Sequence, residues 1–287
     1  MVKTYDELMG MTPVAMEQSY TAKDSCLYAL SVGCGMDPFD DWSRQHLGPL
    51  PPARTLAGMA AVIAAPRVHM IGLGVTLSGI LHGSQGLISH VSLPVEGRLR
   101  SESRVTGVFD RGEGRGCLIN MTRELYDADN VTHYATLTAT YICRSDQPAG
   151  APPVEKSAAP APLDRAPDIV VEAPTSQQSA QIFALTGDQN PLHMVPEAAV
   201  KAGFPGPILH GMATYGTCAA FAEKALAGGV PSSLRLRSIT GKFSAPVFPG
   251  EVIELSLWRD AAGARFQARV PARDKVVISD ARVDIAS

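Results

Sequence analysis

Hydrophobic and polar residues alternate along seven stretches of the chain, and these stretches are rich in β-branched residues. A two-residue period places one face of a strand against a core and leaves the other face in solvent, as in antiparallel sheets. The pattern therefore predicts three strands in the first half and four in the second. They cover 99–109, 116–126, 135–144, 234–244, 252–258, 265–270 and 276–283.

The segment that begins at Gly211 is different, because it is rich in Ala, Met, Leu, Glu and Lys as far as Gly228. These residue types favour a helix, and Gly229 followed by Pro231 is a stop signal. We therefore expect one buried helix that leads into the strands of the second half. An antiparallel sheet wrapped around one long apolar helix is the hotdog arrangement, and its repetition predicts an α+β double hotdog fold.

The repetition is predicted by short segments that recur in the same order in the two halves. The matched pairs are 27–31 with 182–186, 80–83 with 208–211, and 93–97 with 245–250. The middle pair reads Ile-Leu-His-Gly in both halves. Three matches in one order indicate an internal duplication, in which the first half has diverged from the second.

A stretch rich in Pro and Ala separates the two halves at 145–167 and has almost no large apolar residues. Such a composition cannot build a packed core and is typical of an extended linker. The chain is therefore predicted to consist of a diverged N-terminal hotdog (1–144), a linker (145–167) and a C-terminal hotdog (168–287).

The composition limits the classes of function that the chain can have. With 45% hydrophobic and 18% charged residues and a net charge of −3, the chain has no electrostatic bias toward nucleic acid or anionic membranes. The start of the chain lacks a signal-peptide pattern, and the most apolar stretch, 56–65, is too short to span a bilayer. The five cysteines never form a CxxC motif, so neither disulfides nor a zinc site are expected. We predict a cytoplasmic protein.

Candidate chemistry is concentrated in a turn bounded by Gly187 and Pro191. There a carboxylate, an amide and an imidazole follow one another at Asp188, Asn190 and His193. Carboxylate and imidazole are the usual acid/base pair near neutral pH, and the amide can orient a water or hold the loop. The turn is therefore suited to adding water across the double bond of an α,β-unsaturated thioester, although Asp188 as a cap and His193 bonded to backbone would explain it structurally.

The thioester oxygen needs a hydrogen-bond donor in the same reaction, and Gly211 is the candidate. It stands where the buried helix is predicted to begin, so its backbone N–H has no partner within the helix and the helix dipole lies behind it. Glycine also lets a substrate carbonyl approach the main chain closely. This chemistry requires no cofactor or metal, and the chain has no GxGxxG or P-loop motif.

Other residues near these motifs have structural interpretations. We expect His210 to support the turn, and Met212 and Tyr215 to lie in the core. Four histidines have no recognisable partner in the sequence and are expected to be ordinary: His46, His69, His90 and His133.

The segment from Ala184 to Gly211 resembles the signature of the MaoC-like (R)-specific enoyl-CoA hydratases, also called type-two hydratases. The order of segments is also similar to the hydratase unit of peroxisomal multifunctional β-oxidation enzymes. The likeness extends over almost the whole chain, but 37–65 matches only loosely. Further segments that resemble the family are 28–33, 81–83, 110–112, 242–250 and 277–284.

The resemblance implies roles for individual residues. Asp188 and His193 would activate the water and relay its proton, Asn190 would position substrate and water, and Gly211 would form the oxyanion hole. Contacts to the CoA thioester would come also from a second group of residues. This group comprises His82, Gly83, Arg111 and Phe243.

The first half has no copy of the catalytic turn, because Ser-Val-Gly-Cys-Gly-Met-Asp-Pro stands there instead. One active site per chain is therefore expected. The resemblance implies that the C-terminal hotdog is catalytic and that the diverged N-terminal hotdog houses the acyl chain. The implied activity is reversible (3R)-specific hydration of trans-2-enoyl-CoA by a homodimer, with acyl-CoA and water as partners and no nucleic acid or membrane.

Three alternatives stay open from the sequence. The substrate could be a specialised thioester, either a branched, dicarboxylic or steroid side-chain CoA or a carrier-protein thioester. A thioesterase on the same fold would leave the Asn-Pro-x-His turn unexplained. A non-catalytic acyl-CoA-binding module is the alternative from a different class.

Overall fold

The structure is a computed structural model that describes residues 2–66, 72–155 and 164–286. The strands in these ranges are β1 (Val14–Tyr20), β2 (Ile80–Ser89), β3 (Gly97–Asp110), β4 (Cys117–Asp127), β5 (His133–Cys143), β6 (Ile169–Pro174), β7 (Arg235–Phe243), β8 (Val252–Arg259), β9 (Gly263–Val270) and β10 (Lys275–Ala286). The α-helices are α1 (Tyr5–Met9), α2 (Ala22–Ser31), α3 (Asp41–Leu47), α4 (Ser179–Ala184), α5 (Pro196–Lys201) and α6 (Gly211–Leu226). Short 3₁₀ helices lie at Ala57–Ala61, Leu77–Gly79, Pro191–His193 and Pro271–Arg273.

All ten strands belong to one sheet, in the order β1-β3-β4-β5-β2-β7-β10-β9-β8-β6. From either edge of the sheet toward its centre, the strands of each half follow one order: first, third, fourth, fifth and second strand of that half. The halves join where β2 pairs with β7 in antiparallel register, from Ser84 opposite Lys242 to Ile88 opposite Ser238. This repeated topology, with α6 packed against the second-half strands, confirms the predicted double hotdog.

The alternation of apolar and polar residues predicted seven of these ten strands and missed β1, β2 and β6. Two of the missed strands, β1 and β6, form the outer edges of the sheet. The third, β2, lies at its centre between β5 and β7, and its burial does not alternate cleanly. Its sequence is constrained by close packing, because a Cβ at Gly86 would lie 2.4 Å from the Oγ1 of Thr138.

One of the three matched segment pairs was wrong. Ile80–Gly83 opens strand β2, whose counterpart in the second half is β7, whereas Ile208–Gly211 leads into helix α6. Among the described residues of the first half, the segment between α3 and β2 contains the short 3₁₀ helices Ala57–Ala61 and Leu77–Gly79. A four-residue identity is too short to distinguish a strand from a helix start.

The other two pairs occupy equivalent places. Segments 27–31 and 182–186 lie in or just after the helix that follows the first strand of each half, and 93–97 and 245–250 lie in the loops after β2 and β7. Of the predicted linker, residues 156–163 lie outside the described residues, and the boundaries at 144 and 168 stay a prediction. The strands on either side of it are β5 and β6.

The hydrophobic core does not divide between the halves. One cluster of buried side chains joins Tyr28 and Leu87 of the first half to Tyr215 and Phe266 of the second. A smaller cluster around Leu8 lies between α1 and strands β3 and β4. All five cysteines are free thiols, four of them buried. Among the helices of the described ranges, none is both long and apolar enough to cross a membrane.

The contact of α6 with the first half depends on a glycine. A Cβ at Gly216 would lie 2.6 Å from the Tyr28 hydroxyl and 2.7 Å from Val32 Cγ1. Both neighbours are almost completely buried, with exposed fractions of 2% and 0%, so neither can move aside easily. The absence of a side chain at Gly216 therefore sets how closely the two halves approach.

We predict that Gly216→Ala lowers the free energy of unfolding. Helix propensity alone would stabilise the variant by about 1 kcal/mol, but overpacking of a filled core costs about 1–3 kcal/mol and should dominate. Urea denaturation followed by circular dichroism measures the difference. Gly206→Ala is the matched control, because a Cβ there meets nothing within 4 Å. A Gly216→Ala variant more stable than the wild type would contradict the prediction.

Candidate active site

The predicted catalytic turn follows α4 and is held by its own side chains. Gly187 has a φ of +122°, which a residue with a Cβ rarely adopts. The Asp188 carboxylate accepts the backbone N–H of Asn190 at 3.3 Å, and the Asn190 side chain accepts the backbone N–H of Leu192 at 3.1 Å. The second bond caps the 3₁₀ helix that ends at His193. These bonds turn the chain so that His193 points into the protein.

His193 is buried and its Nδ1–H donates to the carbonyl oxygen of Ile208 at 2.8 Å. This bond fixes the tautomer and leaves Nε2 able to accept a proton, and a ring nitrogen of His193 lies within 4.8 Å of the Asp188 carboxylate. Burial lowers the pKa of His193, while the Ile208 carbonyl and the charge of Asp188 oppose that shift. The imidazole is therefore neutral at pH 7 and can accept a proton. The backbone bond that the sequence left open for His193 is present, whereas the capping role left open for Asp188 belongs to Asn190.

His210 supports the turn, as predicted. Its Nε2–H donates to the carbonyl oxygen of Asp188 at 2.9 Å, and its ring packs on His193 with 3.8 Å between centroids. Phe183 of α4 packs on the other side at 4.9 Å. Asp188, His193 and His210 each offer a donor atom within 4.8 Å of the others, so the three could also hold a metal ion. Acid/base chemistry needs only the first two.

Gly211 is the first residue of α6, as the sequence predicted. The first N–H groups of a helix have no acceptor within the helix, and the positive end of the helix dipole is at the same place. A Cβ at Gly211 would lie 3.5 Å from Cε1 of Phe243, so the aromatic ring borders the space in front of this glycine. The helix terminus thus presents donors to a ligand placed beside Phe243.

A cavity of about 720 Å³ brings these groups together. Its wall includes six of the predicted site residues: Asp188, Asn190, His193, Gly211, His82 and Phe243. Residues from both halves form the wall, so the cavity lies where the two hotdog units meet. The cavity is large enough for a thioester with part of an acyl chain.

Two predicted CoA contacts lie outside the cavity wall. Gly83 follows His82 in β2, and a Cβ there would meet the Thr140 carbonyl oxygen at 3.1 Å. Arg111 lies in the loop between β3 and β4, where its Nη1 donates to the carbonyl oxygen of Arg115 at 2.7 Å. For these two residues contact with CoA stays a prediction.

His82 adds a polar atom to the cavity wall. Its ring packs against Tyr141, with 4.9 Å between centroids, and against Phe243, with 4.7 Å. Burial lowers the pKa of His82 to about 4, so the ring is neutral. Its Nε2 is buried and has no hydrogen-bond partner among the described residues. A substrate group in the cavity could supply the missing bond.

The remaining histidines have partners that the sequence did not reveal. His46 Nδ1 lies 3.2 Å from the Arg54 carbonyl oxygen, His90 Nε2 lies 3.0 Å from Thr136 Oγ1, and His133 Nε2 lies 2.9 Å from Glu124. His69 lies outside the described residues. The sequence analysis also missed Gln85 and Tyr141 in the cavity wall. Their side chains can be assigned to the inner face of the sheet only when the pairing of β2 with β5 is known.

We predict that Asp188→Asn lowers the pKa of His193 below its wild-type value. The negative charge of Asp188 raises that pKa, so its removal leaves burial less opposed. NMR titration of the His193 ring in both proteins measures the shift. His133 serves as an internal reference, because it belongs to a separate cluster with Glu124. An unchanged or raised His193 pKa would show that the two groups are not coupled.

Comparison with known proteins identifies the relationship that this geometry suggests. Residues 18–145 match the MFE-2 hydratase 2 N-terminal domain, and residues 158–281 match the MaoC like domain. The chain is 33% identical over 284 residues to 3-hydroxyacyl-thioester dehydratase Y of Mycobacterium tuberculosis, covering 96% of each protein. It is 31% identical over 248 residues to probable enoyl-CoA hydratase 2 of Dictyostelium discoideum, covering 85% of this chain and 83% of that protein.

Solved structures agree with this relationship. Full-length peroxisomal multifunctional enzyme type 2 of Drosophila melanogaster superimposes with a TM-score of 0.75 and 30% identity, covering 95% of this chain and 48% of that one. A MaoC-like dehydratase of Phytophthora capsici superimposes with a TM-score of 0.76 and 26% identity, covering 99% and 98%. The resemblance predicted from the sequence is thus confirmed, and the chain belongs to the MaoC-like hydratase family that includes hydratase 2 of the multifunctional enzymes.

Proposed function

We propose that this protein catalyses the reversible (3R)-specific hydration of trans-2-enoyl-CoA to (3R)-3-hydroxyacyl-CoA. The observation that carries the proposal is the meeting of three groups in one cavity: the Asp188 carboxylate, the neutral His193 imidazole and the N-terminus of α6 at Gly211. The names of the relatives, enoyl-CoA hydratase and 3-hydroxyacyl-thioester dehydratase, support it.

The reaction follows from this arrangement. Asp188 and His193 hold one water between them and remove its proton as the oxygen adds to C3 of the enoyl group. The electron pair of the C2–C3 double bond moves toward the thioester oxygen, and the N–H of Gly211 stabilises the negative charge there. A proton then returns to C2, and the reverse sequence eliminates water. Asn190 keeps the turn in place through its bond to Leu192.

The hydration is tested with crotonyl-CoA, by loss of the absorbance of the conjugated thioester. The product should be oxidised by a (3R)-specific and not by a (3S)-specific 3-hydroxyacyl-CoA dehydrogenase. Release of free CoA in a thiol assay would instead indicate a thioesterase. Tight binding with no turnover of any enoyl thioester would indicate a binding module. Activity that survives dialysis against EDTA would support acid/base catalysis without a metal. Activity that is lost and returns on addition of a divalent metal would indicate a metal held by Asp188, His193 and His210.

Two further predictions remain part of the proposal: a homodimer and a cytoplasmic location. The composition, with a net charge of −3 and reduced cysteines, supports the second. Light scattering coupled to gel filtration tests the first, and cell fractionation tests the second. A monomeric active enzyme or a membrane-associated pool would contradict them.

A further inference from the structure

A second, smaller cavity of about 100 Å³ lies beside the catalytic cavity, in the first half of the molecule. We call it the distal chamber. It shares wall residues with the catalytic cavity, among them Ala61, Gln85 and Tyr141. The remaining wall comes from the inner face of β3, β4 and β5, including Ser103, Met121, Arg123 and Leu137. An acyl chain that extends from the catalytic cavity into the first half would therefore reach this chamber.

Ring contacts mark the route between the two spaces. Phe243 borders Gly211 and packs on His82, and His82 packs on Tyr141, which belongs to both walls. Along β5 the backbone length from Tyr141 to Leu137, which pairs with Arg123, is four residues, or roughly 14 Å at ~3.4 Å per residue. The chamber wall therefore continues along β5 beyond the residue that the two cavities share.

The guanidinium group of Arg123 lies beside Ala61, a residue that belongs to the walls of both cavities. Nη1 of Arg123 donates to the carbonyl oxygens of Ile63 and Ala64 at 2.7 and 3.4 Å, and Nη2 donates to those of Ala60 and Ala61 at 2.9 and 2.8 Å. Burial lowers the pKa of Arg123 to about 10, which still leaves it charged at neutral pH. These carbonyls end the short 3₁₀ helix at Ala61, so Arg123 has a structural role.

The charge of Arg123 nevertheless has no counter-ion. No carboxylate in the described ranges forms an ion pair with it. Arg54, another partly buried arginine of the first half, pairs with Glu223 at 2.5 Å. Buried charges in proteins are normally paired, so an unpaired guanidinium in the wall of a substrate-sized space indicates that the missing anion comes from the ligand.

Polar neighbours strengthen the same conclusion. Ser103 lies opposite Arg123 in the pairing of β3 with β4 and lines the chamber with it. Gln85, Tyr141 and Thr138 also contribute to the wall. An alkyl terminus would displace water from these groups without replacing its hydrogen bonds, at a cost in affinity.

We propose that the distal chamber binds a carboxylate at the far end of the acyl chain, and that the enzyme prefers trans-2-enoyl-CoA substrates that carry such a terminal carboxylate. This inference rests on the proposed hydration. The carboxylate compensates the charge of Arg123 and accepts a hydrogen bond from Ser103, while the thioester lies at Gly211. Chain length and terminal charge are then selected together.

The test compares matched pairs of substrates in the wild-type enzyme. Each pair has the same number of carbons, one ending in a methyl group and one in a carboxylate, from octenoyl-CoA to dodecenoyl-CoA. Because a charge-assisted hydrogen bond is worth about 1.5–3 kcal/mol, kcat/KM should favour the carboxylate by roughly 10- to 100-fold at the best length. Equal values, or a preference for the methyl-ended chain at every length, overturn the inference.

Variants show whether Arg123 is the cause. Arg123→Met should reduce the preference to about one, and Ser103→Ala, which keeps every bond of Arg123 to the carbonyls, should reduce it several-fold. Arg104→Met is the matched control, because Arg104 is exposed on the same strand as Ser103, and it should keep the full preference. If Arg123→Met does not fold, as thermal denaturation would show, Ser103→Ala and the wild-type comparison decide.

The inference and the proposed function fail differently. An enzyme that hydrates crotonyl-CoA but shows no carboxylate preference retains the proposed function and loses the inference. An enzyme that hydrates neither crotonyl-CoA nor any matched pair loses the proposed function. A preference that persists unchanged in both Arg123→Met and Ser103→Ala overturns the assignment to the distal chamber.

Discussion

Asp188→Asn is expected to lower kcat for the hydration of crotonyl-CoA by about 10²–10⁴-fold, the range found when a positioned general acid or base is lost. The amide keeps the size of the side chain and can still accept the backbone N–H of Asn190, so the turn should persist. What disappears is the capacity to take a proton from water. KM should change much less than kcat, because the contribution is made in the transition state.

His193→Ala should have a loss of the same order, and the double variant should lose little more than either single variant. The two groups act on one water, and residues that act as a unit are not additive. Asp129→Asn is the control, because this aspartate is exposed in the turn between β4 and β5. Circular dichroism and thermal denaturation establish that each variant is folded. A folded double variant with wild-type activity would disprove the assignment of the catalytic pair.

The conformation of the turn at 187–193 was predictable because the bonds that form it are local, and the catalytic roles of its residues stay a prediction. Asp188, Asn190 and His193 lie within six residues, and the bonds that orient them are formed mostly within that segment or to the start of α6. Gly211 was predictable for a similar reason, since the change from loop to helix composition is visible in the sequence. In both places the local sequence and the final structure favour the same conformation.

The distal chamber was not predictable, because strand register alone creates it. Gln85, Ser103 and Arg123 come from β2, β3 and β4, and nothing in their local sequence indicates that they face one space. Arg123 in particular occupies a strand position where alternation predicts an apolar residue. Its partners are backbone carbonyls of 60–64, which become available only because the 3₁₀ helix ends there.

The missed strand β2 has the same explanation on a larger scale. Its place between β5 and β7 is determined by packing of one half on the other, so its glycines and polar residues reflect close contacts more than strand propensity. The Ile-Leu-His-Gly identity concealed this strand, since a duplicated sequence was assumed to mean a duplicated element. The two halves share the order of their strands, whereas the long helix α6 is in the second half.

Arg54→Met is expected to lower the free energy of unfolding at pH 7 by about 3–5 kcal/mol, as when one partner of a buried ion pair is removed. Nη2 of Arg54, in the segment after α3, donates to Glu223 of α6 at 2.5 Å, and the two side chains are 11% and 3% exposed. The variant would leave the Glu223 carboxylate buried without its counter-charge. The pair therefore joins the first half to the helix that carries Gly211.

The pH dependence of this variant has a definite sign. Burial already raises the pKa of Glu223 above its ordinary value of 4.5, and Arg54 opposes that shift, so its removal raises the pKa further. The folded variant then binds a proton more tightly than the unfolded chain. The contribution of Glu223 to the stability of the variant is fully present below about pH 4.5 and is lost as the pH rises toward the folded-state pKa, by up to about 1.4 kcal/mol per pH unit.

Urea denaturation of the variant at a series of pH values measures this slope, with the wild type as reference. The decisive control is the double variant Arg54→Met/Glu223→Leu, which removes both charges. Because a buried ion pair can often be replaced by apolar residues at little cost, the double variant should recover most of the lost stability and lose the added pH dependence. If Arg54→Met is equally destabilised at every pH and the double variant recovers nothing, the lost stability comes from the other hydrogen bonds of Arg54, to Gln45, Ser232 and Leu234, and not from the unpaired charge of Glu223.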